Sequence, residues 1–225
     1  MKKWKVRKEL GKMIGKAWKK IISLTLATIM LCTSIACGAN ELEETAFPLL
    51  VAVDYDDDRN RVIYCDVFSR SKQEDGQGKE LPYSAKTGKN FAEAKENYEN
   101  LLQKVPDYSH LKILLLGEDL VQNPQVYKDT IQTLAQTEEF PRNTYVCVID
   151  EVDDILEIAD KLSEDVGSYL ENYLENHKQQ ENNLLSLGDL IDEQENQTLI
   201  LYAPYFDVED GVVQMLGQYA LEFYD

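Results

Sequence analysis

Leu111-Lys112-Ile113-Leu114-Leu115-Leu116-Gly117 is the stretch on which the reading of the fold turns. The apolar run is too short for a helix and Gly117 closes it, so it reads as a buried strand. Six residues later Asn123 caps and Pro124 opens a helix, with Tyr127, Ile131, Leu134 and Ala135 on one face. Asn143 to Ile149 is a second strand-like run, so this part of the chain reads strand, helix, strand.

The same pattern continues in both directions. Upstream, Ala46 to Val53 is a continuous apolar run and Arg61 to Phe68 alternates, with the charged stretch Asp54 to Asn60 as a hairpin loop between them. Residues 69 to 90 are polar, carry Gly76, Gly78 and Gly88, and read as a loop. From Lys89 to Val105 the spacing of Phe91, Ala94, Tyr98, Leu101, Leu102 and Val105 predicts a helix. Downstream, Ile155, Ile158, Ala159 and Leu162 mark one helix, and Val166, Tyr169, Leu170, Tyr173 and Leu174 mark a second and clearer one. After a polar linker from His177 to Asn183, Ser186 caps a short helix through Leu187, Leu190 and Ile191. Thr198 to Phe206 and Val212 to Phe223 close the chain as two strands, with Asp207 to Gly211 as their hairpin. Strands interleaved with helices predict an α/β or α+β domain, a mixed β-sheet covered by amphipathic helices.

Charge divides the chain in two. Residues 1 to 20 hold nine basic side chains against Glu9 alone, +8, so that of a formal −18 overall the remainder carries −26. A body this acidic cannot neutralise phosphates, which excludes nucleic-acid binding by the folded part. With 44% hydrophobic residues the chain can bury a core, which excludes disorder throughout. The uncharged run Ile21 to Ala36 follows the basic stretch and is followed by Cys37-Gly38. It is short of the about 20 apolar residues that a membrane-spanning helix needs, and with its basic flank it reads as a secretory signal. Ser34-Ile35-Ala36-Cys37 resembles a bacterial lipobox, in which the Cys is acylated and becomes the mature N-terminus. The expected organisation is a signal peptide over residues 1–36, a lipidated Cys37 with an acidic tether through residue 45, and one domain over 46–225. The domain would then lie outside the cytoplasmic membrane, as the positive-inside rule also requires.

Cys65 and Cys147 lie in apolar runs and read as small buried hydrophobes; a disulfide between them is the alternative. Asp54, Asp56, Asp58 and Asn60 alternate as calcium ligands do, but Arg59 and Cys65 stand where such a loop needs Gly and Glu, so a solvated turn is the reading and no metal is assigned. His110 before a strand and His177 at a helix end read as surface or capping residues. No nucleophile elbow, phosphate loop or Cys/His ligand pair occurs, so neither an enzyme nor a cofactor is expected. Tyr202, Tyr205, Phe206, Tyr219, Phe223 and Tyr224 read as cross-strand packing or as a docking surface, and the last strand as an open sheet edge.

Taken together, Glu41 to Glu44 before a strand ending Val53-Asp54, Ser109 to Leu120, and Arg142 to Val148 resemble, in order and spacing, the N-terminal domain of the Ger(x)C spore-germination lipoproteins. Ser186 to Leu190 and the closing hairpin ending Gly217 to Phe223 extend the resemblance over roughly residues 37 to 223. The family's usual Trp-Asp after the lipidated Cys is Gly38-Ala39 here, and its later domains have no counterpart in this sequence. The resemblance implies a non-enzymatic lipoprotein C subunit, or an accessory, of a nutrient germinant receptor in the inner spore membrane. Its partners would be the multi-pass A and B subunits. An extracytoplasmic solute-binding lipoprotein is the alternative reading.

Overall fold

Ile113 to Gly117 is buried along its whole length, as a strand flanked by parallel neighbours and covered on both faces must be. A computed structural model describes residues 45–68, 85–159, 165–177, 184–196 and 200–222, all within the unit Glu43–Asp225. In chain order these form β1 (Thr45–Ala46), β2 (Pro48–Asp56), β3 (Arg61–Phe68), β4 (Lys86–Gly88), α1 (Phe91–Glu99), β5 (Val105–Pro106) and a 3₁₀ turn (Tyr108–His110). There follow β6 (Ile113–Gly117), α2 (Glu118–Gln122), α3 (Pro124–Thr137), β7 (Tyr145–Ile149) and α4 (Val152–Ala159). The remaining elements are α5 (Val166–His177), α6 (Leu187–Asn196), β8 (Leu201–Glu209) and β9 (Val212–Leu221).

Seven strands make one sheet in the order β4-β3-β2-β6-β7-β8-β9, while β1 and β5 pair separately. The centre, β2-β6-β7-β8, is parallel, and each margin is antiparallel: β2 with β3, β3 with β4, β8 with β9. The expected mixed sheet with covering helices is therefore what the chain forms, an α+β domain. Paired residues share a face, so Tyr64 and Asp66 of β3 point to the side of Val53 and Val51. There α1 packs, with α3 beside it and α6 against α3. The helices α4 and α5 pack on β2 and β6, and Gly167 of α5 lies so close to Leu49 that a Cβ would stand 2.9 Å from its backbone.

Local chemistry explains the helix starts. Asn123 Oδ1 accepts from Val126 N with Pro124 in the first helical position. Asn90 Oδ1 accepts from Glu93 N at 2.9 Å while Glu93 accepts from Lys89 N at 2.8 Å. Ser186 and Asp189 cap each other reciprocally, Asp189 N donating to Ser186 Oγ at 3.2 Å and Ser186 N to Asp189 Oδ2 at 3.1 Å. The β8-β9 hairpin turns at Asp210-Gly211, both in the left-handed region at φ 53° and 76°, the handedness that suits twisted strands.

Several boundaries differ from the sequence reading. The expected helix to Val105 stops at Glu99, leaving Leu101 58% exposed. Val105 precedes Pro106, whose ring disfavours helical backbone in the residue before it, and Val105 instead pairs in parallel with Thr45. Lys86–Gly88, expected to be loop, forms an edge strand on β3. Asp54 to Asp56 belong to β2, so the hairpin loop shrinks to Asp57–Asn60, with Asn60 at φ 53°. The β8-β9 turn likewise shrinks from the expected Asp207–Gly211, because β8 runs through Glu209. Residues 69–84, Leu162, Thr198, Phe223 and Tyr224 lie outside the described residues, as does Cys37 with the whole expected signal and tether before Thr45. No described helix is long and apolar enough to cross a membrane.

Candidate functional site

The carboxyl ends of β2, β6 and β7 open into a crevice of about 400 Å³, whose lining includes Asp54, Asp56, Asp58, Asp119, Asp150 and Asp153. At its floor sits Asp54, only 8% exposed. Its Oδ1 accepts from Tyr55 N at 2.8 Å, and the backbone N–H groups of Leu120 and Val152 also favour its ionised form. Leu120 lies in the first turn of α2 and Val152 opens α4, so one carboxylate on a neighbouring strand meets the positive ends of two helices. Gly117, the N-cap residue of α2, supplies no side-chain cap of its own. A Cβ on Gly117 would stand 1.9 Å from Asp54 Oδ1; only glycine leaves the carboxyl room to reach both helices. Burial above all, and then the charge of Asp119, push the Asp54 carboxyl up to about 6 against the pull of those backbone donors.

Of the calcium-like alternation, Asp54, Asp56 and Asp58 line this crevice and Asn60 does not. Asp54 faces the helix ends, Asp56 accepts from Arg59 N at 2.9 Å, and Asn60 Oδ1 accepts from the Tyr55 hydroxyl at 2.5 Å. Among the described residues no group of three or more His, Cys, Asp or Glu side chains is arranged to hold a metal ion. A crevice lined this way repels anions.

Near Asp150 at the same carboxyl end of the sheet, Tyr205 OH donates to Glu118 Oε2 at 2.6 Å and Tyr219 OH to Glu118 Oε1 at 3.4 Å, their rings 5.4 Å apart. Phe206 is buried against Tyr173. These three aromatics are thus packing residues, whereas Tyr202, 56% exposed, points outward in the same hairpin as exposed Val212 and Leu216. Among the described strands β9 is an edge. His110 stands edge-on to Phe47, and His177 Nδ1 lies 2.7 Å from the Tyr173 carbonyl at the end of α5. Cys65 and Cys147 are both buried as free thiols, and burial pushes the Cys65 thiol up to about 12.

A second buried carboxyl was not legible as a site in the sequence. Asp66 of β3 is fully buried; Tyr64 OH donates to its Oδ1 at 2.5 Å, and Tyr108 OH lies 3.1 Å from its Oδ2. Tyr108 OH is also 3.1 Å from Glu99 Oε1, which accepts from Lys95 Nζ at 2.6 Å, and Lys95 pairs in turn with Glu139 at 2.7 Å. The only sequence signal was an acid in the strand Arg61 to Phe68 on the same face as Val62, Tyr64 and Phe68, with no mark of which partners would surround it.

The family model described as "Spore germination protein N-terminal domain" matches residues 38–208. The crystal structure of the GerBC protein is similar at 17% identity and a TM-score of 0.38, over 76% of this chain and 48% of that one. The chain therefore spans about half the length of that protein. No curated protein matches the chain. Since the family match runs through the central parallel strands and into β8, covering most of the sequence, the chain belongs to the family of the spore germination protein N-terminal domain.

Proposed function

We propose that the protein is a lipoprotein subunit, or an accessory, of a nutrient germinant receptor, held at the extracytoplasmic face of the inner spore membrane through acylated Cys37. It acts there by contact with the multi-pass A and B subunits and catalyses nothing. The observation that carries this reading is the family match, which begins at residue 38, immediately after the Cys of the lipobox-like Ser34-Ile35-Ala36-Cys37. A signal peptide over residues 1–36, a tether through residue 45 and a domain over 46–225 fit that role. Acylation would confine the domain to the membrane plane and raise its effective concentration beside its partners, so modest contacts suffice.

Nutrient-triggered release of dipicolinate from spores tests the proposal. A deletion strain should release more slowly, the wild-type gene should restore release, and Cys37→Ala should not. Unchanged release on deletion across a broad nutrient panel would overturn the receptor role. Full rescue by Cys37→Ala would overturn the lipid anchor alone.

A further inference from the structure

The protons available around Asp66 do not match the contacts made there. A phenol carries one proton. Tyr64 commits its own to Asp66 Oδ1 at 2.5 Å. The single proton of Tyr108 is left to serve three oxygens, Tyr64 Oη at 3.0 Å, Asp66 Oδ2 at 3.1 Å and Glu99 Oε1 at 3.1 Å. With both carboxylates ionised, at least one of them faces a lone pair of the Tyr108 hydroxyl. One extra proton on Asp66 Oδ2 removes the conflict, since Asp66 then donates to Tyr108 and Tyr108 donates to Glu99. The cation whose field reaches Asp66, Lys95, is already held by Glu99 and Glu139 and lies over the Tyr108 ring at 5.1 Å.

We propose that Asp66 carries a proton in the folded protein and that this proton is a latch, fastening α1 and the Tyr108 turn onto β3 and releasing them as it is lost. The groups that face Asp66 are Tyr64 and Cys65 from β3, Lys95, Tyr98 and Glu99 from α1, Tyr108 from the 3₁₀ turn and Glu139 from the segment after α3. Tyr98 OH donates to the Asp66 carbonyl at 3.0 Å, which ties the same residue to α1 a second time. Burial keeps the phenols and the Cys65 thiol protonated. It also raises the Asp66 carboxyl to about 7, against the lowering influence of the two phenols and Lys95.

Because the folded value lies above the unfolded one, the contribution is complete below about pH 4 and is lost as pH rises toward 7, tenfold in the folding equilibrium per pH unit at most. Asp66→Asn, which donates to Tyr108 as the protonated acid does, tests this in the full chain by denaturant unfolding. The wild type should match the variant near pH 4 and fall behind it by on the order of a hundredfold or more by pH 8. A difference independent of pH overturns the proposal. Should the variant fail to fold, the assigned Asp66 carboxyl carbon in the wild type decides by NMR: titration near neutral pH is expected, and full ionisation by pH 5 overturns it. Amide exchange, corrected for its intrinsic pH dependence, reads the latch itself. Protection in α1 should drop between pH 5 and 8 by more than that in α3, which falls only with global stability; equal changes in both would leave no latch.

Discussion

A single carboxyl on β2 lies at the N-termini of two helices, and the room it needs comes from the absent side chain of Gly117. Gly117→Ala should destabilise the protein by about 1–3 kcal/mol, because the new methyl pushes the Asp54 carboxyl off the Tyr55 amide and away from the two helix N-termini. If that is the mechanism, Asp54→Ala combined with Gly117→Ala costs much less than the two single effects added, which a double-mutant cycle in urea would show. Asp54 also has a pH signature distinct from that of Asp66. Its folded value near 6 lies above the unfolded one, so the wild type loses about 3 kcal/mol relative to Asp54→Asn as pH rises from about 4 to 6, then runs parallel to it. Unfolding curves for both proteins between pH 4 and 8 check this. In the sequence Asp54 read as a loop residue, since an acid beside Asp56, Asp57 and Asp58 carries no local mark of being buried. Its burial is decided by two helix ends that arrive from more than 60 residues away.

Elements were legible where the signal is local. The cap at Asn123 with Pro124, the cap at Ser186 and the stripe Tyr127, Ile131, Leu134 act within one turn of backbone, and all three stand in the structure as read. Asn123→Ala should cost about 1 kcal/mol, measured by thermal or urea unfolding, because it strips the Val126 amide of its acceptor. Gly211 makes a useful contrast with Gly117. A Cβ there meets nothing within 4 Å, but φ is 76°, so Gly211→Ala costs about 1 kcal/mol through backbone strain alone and shows no coupling to Asp54→Ala. Boundaries failed where a neighbour decided them. Periodicity carries the first helix on to Val105, yet Pro106 disfavours helical backbone at Val105, and pairing with Thr45 offers Val105's backbone a partner. The hydrophobic pattern cannot see that partner.

At the scale of the molecule, the formal charge of −18 and the crevice of carboxylates act in the same direction. Like charges repel across the folded surface, and added salt screens them over roughly 10 Å at 0.1 M. The melting temperature should therefore rise between low salt and about 0.5 M sodium chloride. Differential scanning calorimetry of the full chain checks the sign, and a melting temperature that falls with salt would mean that ion pairs such as Lys112 with Glu171 outweigh the repulsion. The sequence by itself determined the fold class, the strands and helices of the centre, and the family resemblance. Each rests on the order and spacing of apolar runs, and that information is local. Only the tertiary structure decided which acids are buried, which aromatics pack and which stay exposed, and where the edge helix and turns stop. Asp54, Asp66 and Tyr202 differ little from their neighbours along the chain; what separates them is the element that the fold lays over each one.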